Sequence, residues 1–153
     1  MTSSRTRLDR DRCLTTDTDL ADQLDRLLER AYNPRQLWLL FLEADDRLSD
    51  VIMPCDDYPS DPDELFTDPE AGLTDFAHLL ADRLGRILEL TGAARVVLVW
   101  ERPGAATLGD DELNWARAMA DACREEGVPL RAQFRLHDDG IRILTLDDYA
   151  GVR

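Results

Sequence analysis

Apart from many carboxylates, this chain has few residues that could do chemistry. The histidines His78 and His137 lie far apart, and neither has a cysteine or a second histidine at metal-ligand spacing. Cys13, Cys55 and Cys123 form no CxxC pair, which disfavours both a zinc ribbon and a disulfide framework. Cys123 falls in a helical pattern and is expected to be a small buried hydrophobic residue. The sequence contains no Walker loop, no GxSxG elbow and no Ser, Cys and His order typical of a nucleophile and its base.

The carboxylates concentrate in two stretches. Residues 54–70 contain four prolines, seven acids and no basic residue, which predicts a long solvated loop. This stretch lacks the glycine and glutamate spacing of a calcium-binding EF-hand loop. The second stretch, Asp110–Glu112, opens a helical pattern, where acids favour the positive end of the helix dipole. Asp56–Glu70 and Asp110–Glu112 are both candidate contact surfaces for a basic partner.

A third stretch combines an aromatic residue, charges and a turn signal. Trp100-Glu101-Arg102-Pro103-Gly104 follows the apolar run ARVVLV. Trp38, Trp100 and Trp115 each fall at a position compatible with core packing on a strand or helix. Core packing is therefore favoured over a ligand-pocket role for all of them.

Helical periodicity and capping residues predict three amphipathic helices that would position these stretches. They cover Asp19–Tyr32, Leu73–Thr91 and Asp110–Glu126. The residues expected to begin or end them are, in chain order, Asp17 or Thr18, Asn33-Pro34, Thr74, Gly92 and Gly127.

Apolar runs between the helices predict about five strands. They are Gln36–Glu43, Leu48–Met53, Ala94–Trp100, Pro129–His137 and Ile141–Leu146, with hairpin turns at 44–47 and 137–140. The order α, β-β, α, β, α, β-β predicts a single α/β domain, whose mixed β-sheet has hairpins plus a central strand and is flanked by helices. The domain is expected to span residues 17–148, between flexible tails at 1–16 and 149–153.

From about Arg35 to Asp148 the chain resembles the JAB/MPN metalloprotease family, in particular its RadC-like branch. QLWLLFLEADDRLSDVIM is similar to that family's opening hairpin. ARVVLVW then leads into Trp100-Glu101-Arg102-Pro103-Gly104, where the family has His-x-His-Pro and a small-residue loop. The helix in ELNWARAMADACREEGVPL keeps the family's apolar register, and the closing hairpin has its Asp-Gly turn. The resemblance covers roughly three quarters of the chain and implies a JAB/MPN-like fold.

In that family two motif histidines and a downstream aspartate hold a catalytic zinc ion, and a serine assists at the oxyanion. Carried over onto this chain, the histidine positions are occupied by Trp100 and Arg102. Aligned through the helix register, the aspartate position falls on Glu112 and the serine position on Gly109. The resemblance thus marks Trp100, Arg102 and Glu112 as the positions of a vestigial metal site.

The departures from the family pattern decide what chemistry the resemblance implies. Without a gap, the two downstream positions of the site fall on Asp111 and Asn114 instead. In either alignment Trp100 offers only an N–H donor, and Arg102 is protonated and has no acceptor, so neither can bind zinc. We therefore expect a pseudoenzyme without metal or cofactor. Arg102 is expected either to pair with Glu112 or Asp111 through charge-assisted hydrogen bonds or to point into solvent.

The resulting functional hypothesis is a non-catalytic JAB-like domain that acts through protein–protein interaction and possesses the family's capacity to form a homodimer. Glu43, Pro103, Asp110 and Asp111 are its candidate cleft or interaction residues. One alternative is a hydrolase with a rearranged site, in which carboxylates such as Glu43 and Glu112 hold a different metal. Another is a small-ligand sensor that uses the vacated cleft.

The acidic composition disfavours two other classes of partner. The chain of 153 residues carries a net charge of −14, and all 18 basic residues are arginine. An acidic chain is a poor ligand for nucleic acid or an anionic membrane. The sequence has no secretory h-region and no apolar stretch long enough to span a bilayer, so a cytoplasmic protein is expected. The absence of lysine is typical of GC-rich bacterial coding.

Overall fold

The three-dimensional structure is a computed structural model that describes residues 12–28, 35–70, 72–104, 109–145 and 148. The helices are α1 (Asp17–Leu27), α2 (Phe76–Thr91) and α3 (Asp110–Glu126). The strands are β1 (Gln36–Leu42), β2 (Leu48–Cys55), β3 (Leu65–Asp68), β4 (Gly72–Asp75), β5 (Arg95–Glu101), β6 (Leu130–His137) and β7 (Gly140–Ile143).

Five of the strands form one mixed sheet in the order β2-β1-β5-β6-β7. Only β5 and β6 run parallel, and α3 makes the crossover between them. The other neighbouring strands are antiparallel. This arrangement confirms the predicted single α/β domain with a mixed sheet, a central β5 and two hairpins.

The sheet is covered on both faces, because β5 is apolar on both. Leu98 and Trp100 face the core under α2 and α3, whereas Val97 and Val99 face the core under α1. A strand that is buried on both sides reads as a continuous apolar run, which is what ARVVLVW is. Within the described residues, no helix is both long enough and apolar enough to cross a membrane.

The packed part of the chain begins before the predicted boundary at residue 17. Leu14 is fully buried, and its amide donates to the carbonyl of Asp46 at 2.9 Å. Cys13 forms an isolated β-bridge with Arg47. Residues 12–16 therefore belong to the domain and not to a tail, whereas the rest of the N-terminal tail and residues 149–153 lie outside the described residues.

The helix boundaries partly follow the predicted caps. Thr16, and not Asp17 or Thr18, caps α1 by accepting the amide of Asp19 at 3.0 Å. Asp75, and not Thr74, caps α2 by accepting the amide of His78 at 2.8 Å. Gly92 and Gly127 end α2 and α3 in the left-handed conformation, as predicted. The predicted extension of α1 to Tyr32 is wrong, because the helix ends at Leu27 and Leu28 is its C-cap in an extended conformation; Asn33-Pro34 lies outside the described residues.

The expected solvated loop over residues 54–70 is wrong in its second half. There β3 pairs with β4 in a separate two-stranded sheet. Phe66 is turned inward and packs on Phe76 of α2, with ring centroids 4.4 Å apart. The high density of prolines and acids concealed the short alternating pattern around Phe66, which is enough to form a strand once α2 provides a surface.

Candidate functional site

The three positions that the resemblance marks, Trp100, Arg102 and Glu112, line one cleft at the carboxyl end of β5. Beyond that strand the chain continues beside β6, since the amide of Arg102 donates to the carbonyl of Leu136 at 3.1 Å. The amide of Asp138 likewise donates to the carbonyl of Gly104 at 3.1 Å. The first turn of α3 then returns over this edge. The carboxyl edge of parallel strands is where α/β proteins commonly place their ligand sites.

At this edge the carboxylate of Glu112 lies between two guanidinium groups. Nη1 of Arg102 is 3.4 Å from Oε1 of Glu112, and Nη1 of Arg135 contacts Oε2. The amide of Gly109 also donates to Oε1 at 3.1 Å, which ties the carboxylate to the start of its own helix. The expected pairing of Arg102 with Glu112 is therefore present. We call Arg102, Glu112 and Arg135 the Arg–Glu–Arg cluster.

The cluster is graded in exposure. The side chain of Arg135 is 3% exposed and that of Glu112 is 12% exposed, whereas that of Arg102 is 39% exposed. Burial first, and then repulsion from the guanidinium groups of Arg102 and Arg142, lowers the pKa of Arg135 from its usual value. A buried guanidinium that is also repelled by neighbouring arginines needs a carboxylate partner to remain charged. Glu112 is one such partner among the described residues.

The indole of Trp100 takes part in a second polar chain, a series of hydrogen bonds between uncharged groups beside the cluster. Its Nε1–H donates to Oε1 of Gln133 at 2.8 Å, and Nε2 of Gln133 donates to the carbonyl of Ala116 at 2.8 Å. This chain connects β5, β6 and α3 through groups that are almost fully buried. Trp100 and Trp115 are 2% and 1% exposed, which confirms their predicted core packing. Trp38 is only half-buried, and its indole donates to Oε1 of Glu101 at 2.8 Å.

An aromatic residue of the acidic segment closes the cleft. The ring of Tyr58 makes edge contacts with Trp100 and Trp115, at centroid distances of 5.7 and 5.3 Å. The guanidinium of Arg35 stacks 3.6 Å from the Tyr58 ring centroid and donates to the carbonyls of Tyr58 and Pro59. The indole of Trp115 also donates to the carbonyl of Pro59, at 2.7 Å. We call Tyr58 and Pro59 the Tyr58 plug.

The plug leaves little room in the cleft. A volume of about 10 Å³ remains there, which is room for about one water molecule. Burial raises the pKa of the Tyr58 phenol despite the opposing effect of Arg35, so the hydroxyl is protonated at neutral pH. Among the described residues, no group of three or more His, Cys, Asp and Glu side chains is placed to hold a metal ion. The hydrogen bonds and ring contacts of this cleft join β5, β6, α3 and the segment around Tyr58, and they are suited to a structural role.

The remaining predicted site residues are scattered. Asp111 is exposed and lines the cleft, while Asp110 and Pro103 are exposed and are not among the residues that line it. Glu43 does not face the cleft, and this prediction is wrong. The register of β1 on β5 pairs Gln36 with Glu101 beside the cleft, whereas Glu43 follows the far end of β1, about 20 Å away at about 3.3 Å per residue.

Three residues of the site were missed by sequence reasoning. Arg135 lies in a strand where Arg131, Gln133, Arg135 and His137 alternate with apolar residues, and this period-2 pattern indicates a polar face. Tyr58 is the single aromatic residue between positions 54 and 64, which was a usable signal for an anchored loop. No local pattern distinguishes Arg35 from the other arginines.

The cysteines take no part in this site. Burial raises the pKa of Cys123 to about 11, so its thiol is protonated and unreactive at neutral pH. Cys123 is 1% exposed, which confirms its prediction as a small buried hydrophobic residue. Burial also raises the pKa of the half-buried Cys55.

Comparisons with known proteins add no family assignment: no family model matches the chain, and no curated protein matches it.

Proposed function

We propose that this protein is a non-catalytic JAB-like domain that acts by binding another protein. The single observation that carries the proposal is the filling of the vestigial site. Trp100 is buried in the core, and Arg102 is paired with Glu112. In the JAB/MPN family that the chain resembles, the corresponding positions hold zinc. Trp100 and Arg102, which cannot bind a metal ion, thus occupy the two positions where that family has its histidine ligands.

Electrostatics supports the non-catalytic part of the proposal. A divalent cation at Glu112 would be placed beside the guanidinium groups of Arg102 and Arg135. Repulsion between like charges is strong where the surroundings exclude water, and Arg135 is 3% exposed. Binding of the cation would also leave the buried Arg135 without this carboxylate partner.

The same geometry weighs against both alternatives. A rearranged hydrolase needs Glu43 and Glu112 in one site, and the register of β1 on β5 separates the two ends by about 20 Å. A small-ligand sensor needs an open cleft, and the Tyr58 plug leaves about 10 Å³. Binding through the outer surface of the domain is the function that does not require the cleft to open.

Metal content tests the non-catalytic assignment. The purified chain is stripped with a chelator, incubated with Zn²⁺ or Mn²⁺, dialysed and measured by elemental mass spectrometry. We expect far less than one metal ion per chain, because the vestigial site offers one carboxylate between two arginines.

Two matched variants in one helical turn make this result specific. Glu112→Gln removes the carboxylate of the cluster, whereas Asp110→Asn removes an exposed carboxylate outside it. One zinc or manganese ion per chain that is lost in Glu112→Gln and kept in Asp110→Asn would overturn the proposal and revive the rearranged hydrolase.

A further inference from the structure

The β3–β4 hairpin turns two large apolar side chains toward solvent. Leu65 and Leu73 are 65% and 71% exposed. In the register of the hairpin Leu65 pairs with Asp75 and Thr67 with Leu73, so the side chains of Leu65, Thr67 and Leu73 lie on one face. Leu65 and Leu73 are diagonal neighbours, close enough for one apolar group to contact both. We call Leu65, Thr67 and Leu73 the hairpin face.

The hairpin is held from its other side, so the hairpin face is presented in a defined position. Phe66 packs on Phe76 of α2. At the far end of the hairpin Glu70 pairs with Arg86 of α2 at 2.8 Å. A two-stranded sheet is marginal by itself, and here α2 supplies the support that a third strand would give. A rigid surface loses less conformational entropy when a partner binds.

The chain that leads into β3 is strongly acidic and exposed. The exposed acids between the Tyr58 plug and the hairpin, and just before the plug, are Asp56, Asp57, Asp61, Asp63 and Glu64. Within the described ranges, none of them forms an ion pair with an arginine. The plug fixes this segment to the body of the domain through Arg35 and Trp115. Asp63 and Glu64 directly precede Leu65, so at least their charge lies beside the apolar face.

We propose that the hairpin face docks a basic segment of another protein, which places an apolar side chain against Leu65 and Leu73 and its Arg or Lys side chains against the neighbouring acids. This inference rests on the proposed function and names the partner chemistry of that function. Charge complementarity selects a basic partner, since the chain itself carries −14 and would repel an acidic one. The two leucines supply an apolar contact that a solely electrostatic encounter lacks.

Peptide binding tests the inference with defined probes. A short fluorescent peptide of alternating Leu and Arg is titrated with the full chain at low salt, and its anisotropy is compared with that of a peptide in which Ser replaces every Leu. We expect the Leu/Arg peptide to bind at least about tenfold more tightly, because only it can bury apolar surface on the hairpin. Binding of both peptides is expected to weaken as salt is added.

Matched leucine variants locate the contact. Leu65→Ser with Leu73→Ser is expected to reduce the affinity for the Leu/Arg peptide by about tenfold. Leu90→Ser is the control, because Leu90 is 86% exposed but lies in the last turn of α2 and is not part of the hairpin face, and it is expected to leave the affinity unchanged. Circular dichroism confirms that each variant is folded.

Several outcomes would overturn the docking inference. These are equal binding of the Ser/Arg and Leu/Arg peptides, equal loss in Leu90→Ser, or no binding of either peptide. Sedimentation that shows a homodimer broken by the Leu65 and Leu73 substitutions would assign the face to a second copy of the chain instead. Metal content distinguishes a failure of the proposed function from a failure of the docking inference. A metal-free chain that does not bind the peptide refutes docking alone. Stoichiometric zinc or manganese at Glu112 refutes the non-catalytic assignment.

Discussion

Two arginine–glutamate contacts in this molecule have similar chemistry and opposite settings. Glu112 in the Arg–Glu–Arg cluster is 12% exposed and receives hydrogen bonds from Arg102, Arg135 and the amide of Gly109. Glu70 at the end of the β3–β4 hairpin is 69% exposed, and its pair with Arg86 is surrounded by solvent. The first contact connects three elements inside the domain, and the second joins the hairpin to α2 at the surface.

Burial, and not the identity of the charged residues, therefore decides how much an ion pair contributes to stability. Water screens and replaces an exposed pair at little cost. A buried guanidinium that loses a carboxylate cannot replace that contact with water. We therefore expect substitutions in the cluster to affect folding and substitutions around the hairpin to affect only binding.

The largest expected effect follows from removing the carboxylate of the cluster. Glu112→Ala leaves Arg135 buried without this partner and is expected to lower the free energy of unfolding by about 3–5 kcal/mol. Urea denaturation followed by circular dichroism measures the change. Glu70→Ala is the matched control at the exposed pair and is expected to leave the urea midpoint unchanged. Equal shifts for the two variants would remove the distinction between the two regions.

A smaller effect is expected from the uncharged polar chain beside the cluster. Gln133→Leu removes the acceptor of the Trp100 indole and leaves its N–H buried and unpaired. The expected loss in the free energy of unfolding is about 1–3 kcal/mol, again measured in urea. Arg124→Gln, which breaks an exposed pair with Asp121 on α3, is expected to change the midpoint by much less. A neutral outcome for Gln133→Leu would show that this polar chain adds specificity without stability.

The smallest expected effect is a pH dependence at the junction between the two regions. His78 of α2 lies with Nδ1 2.9 Å from Oδ1 of Asp75 and Nε2 2.6 Å from Oε1 of Glu125 on α3. Neutral imidazole has one N–H, so only the protonated ring donates to both carboxylates. The hydrogen bond with Asp75 first, and that with Glu125 next, raise the pKa of His78 above its usual value of 6.5.

The sign of the pH effect follows from this raised pKa. The stabilisation is fully present below the unfolded-state pKa of about 6.5 and is lost as pH rises through the higher folded-state pKa. The urea stability of the wild-type chain relative to His78→Gln is therefore expected to decrease from mildly acidic to mildly alkaline pH. A difference that stays constant across this range, or increases with pH, would contradict a charged bridge. The effect is small because His78 is 36% exposed.

Sequence reasoning succeeded where the signal is local. The continuous apolar run in ARVVLVW predicted a strand buried on both faces, and the apolar spacing in Asp110–Glu126 predicted α3 with its observed bounds. It failed at the β3–β4 hairpin, where four-residue strands are too short for a periodic pattern to outweigh prolines and acids. It also failed for Glu43, because a position at the end of a strand does not reveal which end of the sheet that strand approaches.

The sequence is enough to predict the order of the three helices and of the five strands in the main sheet, the apolar faces that form the core and the excess of acidic charge. Each of these depends on neighbours within a few residues or on a sum over the chain. Only the tertiary structure decided that Arg135 of β6 meets Glu112 of α3, and that Tyr58 closes the cleft between Trp100 and Trp115. Such contacts depend on the parallel register of β5 and β6 and on the path of the chain between distant elements, which no local pattern encodes.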